Sequence, residues 1–130
     1  MMVQDHTKAN EELKQIASQL NVQLPTELGQ EHRDLQEKLS KLQGAEFDRE
    51  YMNAMVDSHE NSVNRLEDRA NRANQTTSSA GTESPQATGT AGSNMQGQQA
   101  LNQWATKTLP TVRKHLQQAE QINEKVGQNQ

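Results

Sequence analysis

Apolar residues recur in this chain at alternating spacings of three and four along four separate stretches, the stripe of helices that pack against one another. The first stretch reads Met2, His6, Ala9, Leu13, Ile16, Leu20, and the second reads Leu28, His32, Leu35, Leu39, Leu42. The third reads Met52, Val56, His59, Val63, Leu66, Ala70, Ala73. The fourth keeps the rhythm through Leu101, Ala105, Thr108, Val112, His115, Ala119, Ile122 and Val126. Each seam holds one of the four histidines of the chain. For His115 the phase is contested, because Leu109 and Leu116 define a second register that moves it to the seam's edge.

The spacing predicts an all-α helical bundle, one domain over 1–130, with helices at about 1–21, 27–43, 45–74 and 101–126. Pro25 biases its predecessor away from the helical region and ends the first helix, and Gly44 is the natural stop of the second. In the third helix Phe47, Tyr51 and Met55 add a second apolar line beside the seam. Residues 75–99 are Thr, Ser, Gly, Gln and Ala around a single Pro85, a composition expected of a flexible linker. Pro110 removes a backbone hydrogen bond and is expected to kink or restart the last helix near Thr108. Met1 and Met2 enter the helical pattern without a capping residue, as if the reading began inside a longer helix.

Composition narrows the function classes. Only 30% of the 130 residues are apolar, with one Phe, one Tyr and one Trp, so the core is thin and calls for another helix or a second subunit. A net charge of -4, with basic residues scattered among acids, argues against nucleic acid as a partner. The absence of Cys excludes disulfides, thiolate metal sites and cysteine catalysis. No apolar run approaches the 18 residues of a membrane span, and no signal-peptide core stands at the start.

The seam histidines carry the chemistry. Met2-Val3-Gln4-Asp5-His6 is echoed by Met55-Val56-Asp57-Ser58-His59, which sets a thioether and an imidazole one turn apart on one helix face. Soft sulfur with imidazole suits copper(I), while imidazoles with carboxylates suit zinc, iron or copper(II). The plainer reading is that Met fills the core and each His makes one buried hydrogen bond to a carbonyl or carboxylate. Helical rise puts His32 and His59 within roughly 5 Å of one level across the turn at Gly44, and offsets His6 from His32 by roughly 12 Å. A two- or three-histidine site is therefore expected rather than a four-histidine one. Asp5, Asp48 and Asp57 flank the seams as candidates to orient a histidine. A di-iron carboxylate centre needs Glu-x-x-His pairs, and none occurs. Nucleophile elbows, phosphate loops and His-Glu-x-x-His are likewise missing, so no enzyme is expected.

Several segments together resemble a known family. They are Met2-Val3-Gln4-Asp5-His6-Thr7-Lys8-Ala9-Asn10-Glu11-Glu12-Leu13, Leu24-Pro25-Thr26-Glu27-Leu28, Gly44-Ala45-Glu46-Phe47-Asp48-Arg49-Glu50-Tyr51, Met55-Val56 with His59, and Lys107-Thr108-Leu109-Pro110-Thr111 with His115-Leu116. In family order, and over nearly the whole chain apart from the linker, they are similar to the bacterial ferritin-like domain of unknown function. The resemblance implies a ferritin-like bundle whose first core helix lies upstream, with 26–43 as a crossover helix, in a protein of the periplasm or outer membrane. Asp57-Ser58 stands where the family more often has Asp directly before its His, and the 75–99 linker is longer than usual. The family implies no reaction.

The reading that follows is a non-catalytic, stress-related or binding protein of the bacterial envelope. It is expected to hold a metal such as copper or zinc, or a small ligand, between helices through His6, His59 and His115, with Met2 and Met55 as soft auxiliary ligands. The alternative is a structural module that forms a homo-oligomer or docks a partner through its apolar seam.

Overall fold

The strong helix formers of the four stretches win out locally, and tertiary contacts then set where each helix stops. The computed structural model describes residues 2–78 and 91–128, and all its regular elements are α-helices. In chain order these are α1 (Met2–Gln19), α2 (Gln30–Ser40), α3 (Gly44–Ser78) and α4 (Ala91–Gln128). Acidic Asp5, Glu31 and Glu46 stand in the first turns of α1, α2 and α3, where the helix dipole favours negative charge. No helix among the described residues is long and apolar enough to cross a membrane.

Contacts divide the chain into two compact units, Met1–Leu24 with Val63–Thr111 and Pro25–Ser62 with Val112–Gln130, so α3 and α4 contribute a segment to each. In the first unit Ala17 of α1, Val63 and Leu66 of α3, and Gly97, Ala105 and Leu109 of α4 are buried. Two polar links tie α1 to α4 there. The Trp104 indole Nε1–H donates to the Ala9 carbonyl at 3.2 Å, and the Lys107 ammonium donates to the Glu12 carboxylate at 3.2 Å. Arg69 of α3 also donates to the Gln98 amide oxygen of α4.

α1 ends in a hydrogen-bonded cap rather than through Pro25 alone. Asn21 takes the left-handed conformation at φ 54, while the Val22 N–H donates to the Ala17 carbonyl and the Asn21 N–H to the Ser18 carbonyl. These two bonds are the Schellman pattern, which satisfies carbonyls the helix end would otherwise orphan.

The largest departure from the sequence expectation is at the linker. α3 continues to Ser78 and α4 begins at Ala91, so 75–78 and 91–99 are helical; residues 79–90, including Pro85, lie outside the described residues. The packing at Gly97 gives the reason. A Cβ built there would fall 1.9 Å from Leu20 Cδ2 and 2.6 Å from Cγ, so the α4 backbone rests directly on the Leu20 side chain. Here glycine permits close approach and does not mark flexibility. The expected restart near Thr108 is likewise not observed: α4 runs through Pro110. Proline leaves the Thr106 carbonyl without its usual donor, but Thr106 and Pro110 are both exposed, where water can supply the missing bond.

In the second unit α2 buries no residue completely. Leu35, Leu39 and Phe47 are half-buried, and with Leu28, His32, Gln36 and Ser40 they line a shallow apolar groove of ≈ 420 Å³. The Lys38 ammonium, 2.5 Å from the Glu50 carboxylate, ties α2 to α3. That contact, first through its hydrogen bond and then through its charge, holds the Glu50 carboxyl below its ordinary value. Gly44, at φ 57, makes the sharp junction into α3, and one turn on Phe47 stacks on Tyr51 at 5.7 Å. The Asn123 amide donates to Asn53 at 3.0 Å and links α4 to α3.

Candidate functional site

Five side chains are buried among the described residues of the second unit: Met52, His59, Val112, His115 and Ala119. Two of the five are histidines, His59 at 6% exposure and His115 at 3%. Imidazole is a costly way to fill so small a core, since a buried polar ring must keep its nitrogens satisfied. The contested phase of α4 is settled by packing: Leu109, Val112 and His115 are all buried, so the contact face is broad enough to include both registers. Ile122, expected on the seam, is instead 48% exposed.

The two rings meet edge to face, with centroids 6.0 Å apart and planes at 81°. A tetrahedral ion bound by two imidazole nitrogens at their usual distances sets ring centroids about 5 Å apart. The observed pair is therefore within about 1 Å of that spacing, a displacement that small side-chain rotations can supply.

The orientation of His59 follows from its own helix. Its Nδ1 lies 2.7 Å from the Met55 carbonyl oxygen one turn earlier. A carbonyl can only accept, so Nδ1 carries the proton and, in the neutral ring, Nε2 carries the lone pair. In the first unit His6 repeats the arrangement, with Nδ1 2.8 Å from the Met2 carbonyl oxygen. The Met-Val-x-x-His echo thus has a common local structure in both places. Its methionines act on their histidines through the backbone carbonyl. This is the tautomer-fixing hydrogen bond that metal-binding histidines commonly make from the nitrogen that does not face the metal.

His32 stands apart from this pair. It is exposed on α2 and lines the apolar groove. Asp48 and Asp57, expected beside the seam, are exposed as well, and so is Asp5. No Asp or Glu is buried among the described residues. The apolar spacing gave no signal for Trp104 or Gly97, whose contacts hold α1 on α4 in the first unit; only tertiary structure reveals either role.

These features define an all-α protein that buries paired histidines and, among the described residues, no carboxylate. The chain belongs to the family described as Domain of unknown function (DUF4142), which matches residues 1–80 and therefore covers α1, α2 and α3. The segment 107–116 of α4, which carries His115 and part of the resemblance drawn from sequence, lies beyond the matched residues. Comparison with curated proteins and with solved structures gives no match.

Proposed function

We propose that this chain is a non-catalytic, ferritin-like protein of the bacterial envelope that binds a transition-metal ion, copper or zinc, through His59 and His115, with His6 as the further ligand expected from the sequence. His59 and His115 each offer one ring nitrogen as a ligand atom. The observation that carries the reading is the buried edge-to-face pair of His59 and His115. It is supported by the carbonyl bonds that fix Nδ1–H in His59 and His6, which reserve Nε2 as the donor. Imidazole nitrogens suit copper(II) and zinc, and the thioethers of Met2 and Met55 are soft auxiliary donors for copper(I).

Titration of the purified apo-protein with copper or zinc, read from the imidazole resonances, tests the proposal. The expected result is a stoichiometric change at His6, His59 and His115, with His32 unaffected. Unchanged resonances at near-stoichiometric metal would overturn it.

A second reading, an interaction module that forms a homodimer, is favoured by the exposed apolar groove on α2, where Leu28 is 55% exposed. It predicts self-association that chelators leave unchanged and that Leu28→Glu abolishes in a sedimentation experiment.

A further inference from the structure

We infer that a second copy of this chain docks in the α2 groove, its α2 lying antiparallel to the first about a twofold axis at Leu35. This rests on the dimer reading above and adds to it the direction of the partner helix and the residues that set that direction.

The groove suits a helix. Leu28, His32, Leu35 and Leu39 line it at spacings of four, three and four, the pattern of side chains that interlock between paired helices. α2 buries none of its own residues completely, and Leu28 is 55% exposed. A helix laid along the groove therefore removes apolar surface that is otherwise left in water.

The charges of α2 decide which helix fits and which way it runs. Arg33 and Glu37 stand three residues before Gln36 and Ser40 of the groove wall, and so border the groove on that side. Glu31 and Lys38 immediately precede His32 and Leu39, on the side of α2 from which Lys38 reaches Glu50. Leu35 is the midpoint of Arg33 and Glu37 and lies within one residue of the midpoint of Glu31 and Lys38. An antiparallel copy centred there brings Arg33 level with the partner's Glu37, and Glu31 level with the partner's Lys38. The twofold axis makes each contact twice. A parallel copy would set Arg33 against Arg33 and Glu37 against Glu37, a like-charge arrangement that selects against that pairing. Contacts within the chain do not prevent the exchange. Arg33 lies 3.8 Å from Glu27 and Glu37 lies 2.7 Å from Lys41, but both side chains are more than half exposed, where ion pairs contribute little. The Lys38 side chain is 59% exposed while bound to Glu50, and its three N–H donors can serve a second carboxylate at the same time.

Sedimentation velocity of the full chain over a concentration series tests this with charge variants. The parent should self-associate. Arg33→Glu and Glu37→Arg should each weaken the association by about tenfold, since every dimer exchanges two attractive exposed pairs for two repulsive ones. Two routes should restore it: the double variant Arg33→Glu/Glu37→Arg, and an equimolar mixture of the two single variants. Rescue by either route separates lost pairing from lost folding, and circular dichroism checks that each single variant stays helical. Single variants that weaken association without rescue overturn the antiparallel pairing. Association that Leu28→Glu abolishes but all three charge variants leave unchanged overturns that pairing too and leaves the dimer reading standing. A parent that stays monomeric overturns both.

Discussion

Replacing Gly97 by alanine sets two effects of opposite sign against each other. In a helix interior alanine is favoured over glycine by about 1 kcal/mol, because glycine has more backbone freedom to lose. Against this, the new methyl would lie 1.9 Å from Leu20 Cδ2 and 2.6 Å from Cγ, where unstrained carbons keep about 3.5–4.0 Å. Leu20 is half-buried just beyond the end of α1, so its side chain must move or α4 must retreat. Overpacking of that kind costs about 1–3 kcal/mol. Gly97→Ala alone should therefore destabilise the protein by up to about 2 kcal/mol. In a Leu20→Ala background the clashing atoms are gone, and the same change should stabilise by up to about 1 kcal/mol. Urea unfolding followed by circular dichroism of the four proteins closes the cycle, with the coupling read from midpoints at constant m. If Gly97→Ala stabilises both backgrounds equally, α4 is helical there but does not rest on Leu20; if it changes neither, residues 91–99 behave as the linker their composition suggests.

Three further outcomes follow from single residues. Asn21→Gly should stabilise by about 1 kcal/mol, because glycine takes the left-handed cap without the Cβ penalty; a loss of stability would refute that assignment. Gly44→Ala should cost about 1–2 kcal/mol at the junction into α3 even though nothing crowds its Cβ, and an unchanged thermal midpoint would count against the positive φ. The Glu50 carboxyl, held low by Lys38, contributes stability that is present above its unfolded-state value and is lost as pH falls through the folded one. Lys38→Met should accordingly raise the Glu50 midpoint in a carbon-detected carboxyl titration, and the stability gap between variant and parent should close in acid. A Glu50 midpoint that does not move would separate it from Lys38.

Periodicity made the helical class legible and placed His59 on an inward face, because burial of a stripe depends only on spacing and helical geometry; His115 stood between two registers until packing decided it. It also marked Gly44, whose left-handed φ is a local property. The helix boundaries were harder to read. Residues 91–99 resemble a linker in composition, yet Ala, Gln and Met are good helix formers and the small Gly97 fits against Leu20; the deciding contact is 77 residues away in sequence. Trp104 was invisible for a similar reason, since its bond to the Ala9 carbonyl bridges two helices that no local rule brings together. The methionines of the two echoed turns were read for their sulfur. In the structure their carbonyls orient the rings, a role that any residue at those positions could fill.

Trp104 belongs to the first unit and Tyr51 to the second, and the chain has one of each. Every indole signal therefore reports on the packing of α1 against α4, and every phenol signal on the start of α3. Unfolding curves recorded at the two chromophores compare the units within a single sample, without labels or substitutions. Superimposed curves mean that the long helices α3 and α4 transmit cooperativity along their length; separated curves mean that each unit melts on its own.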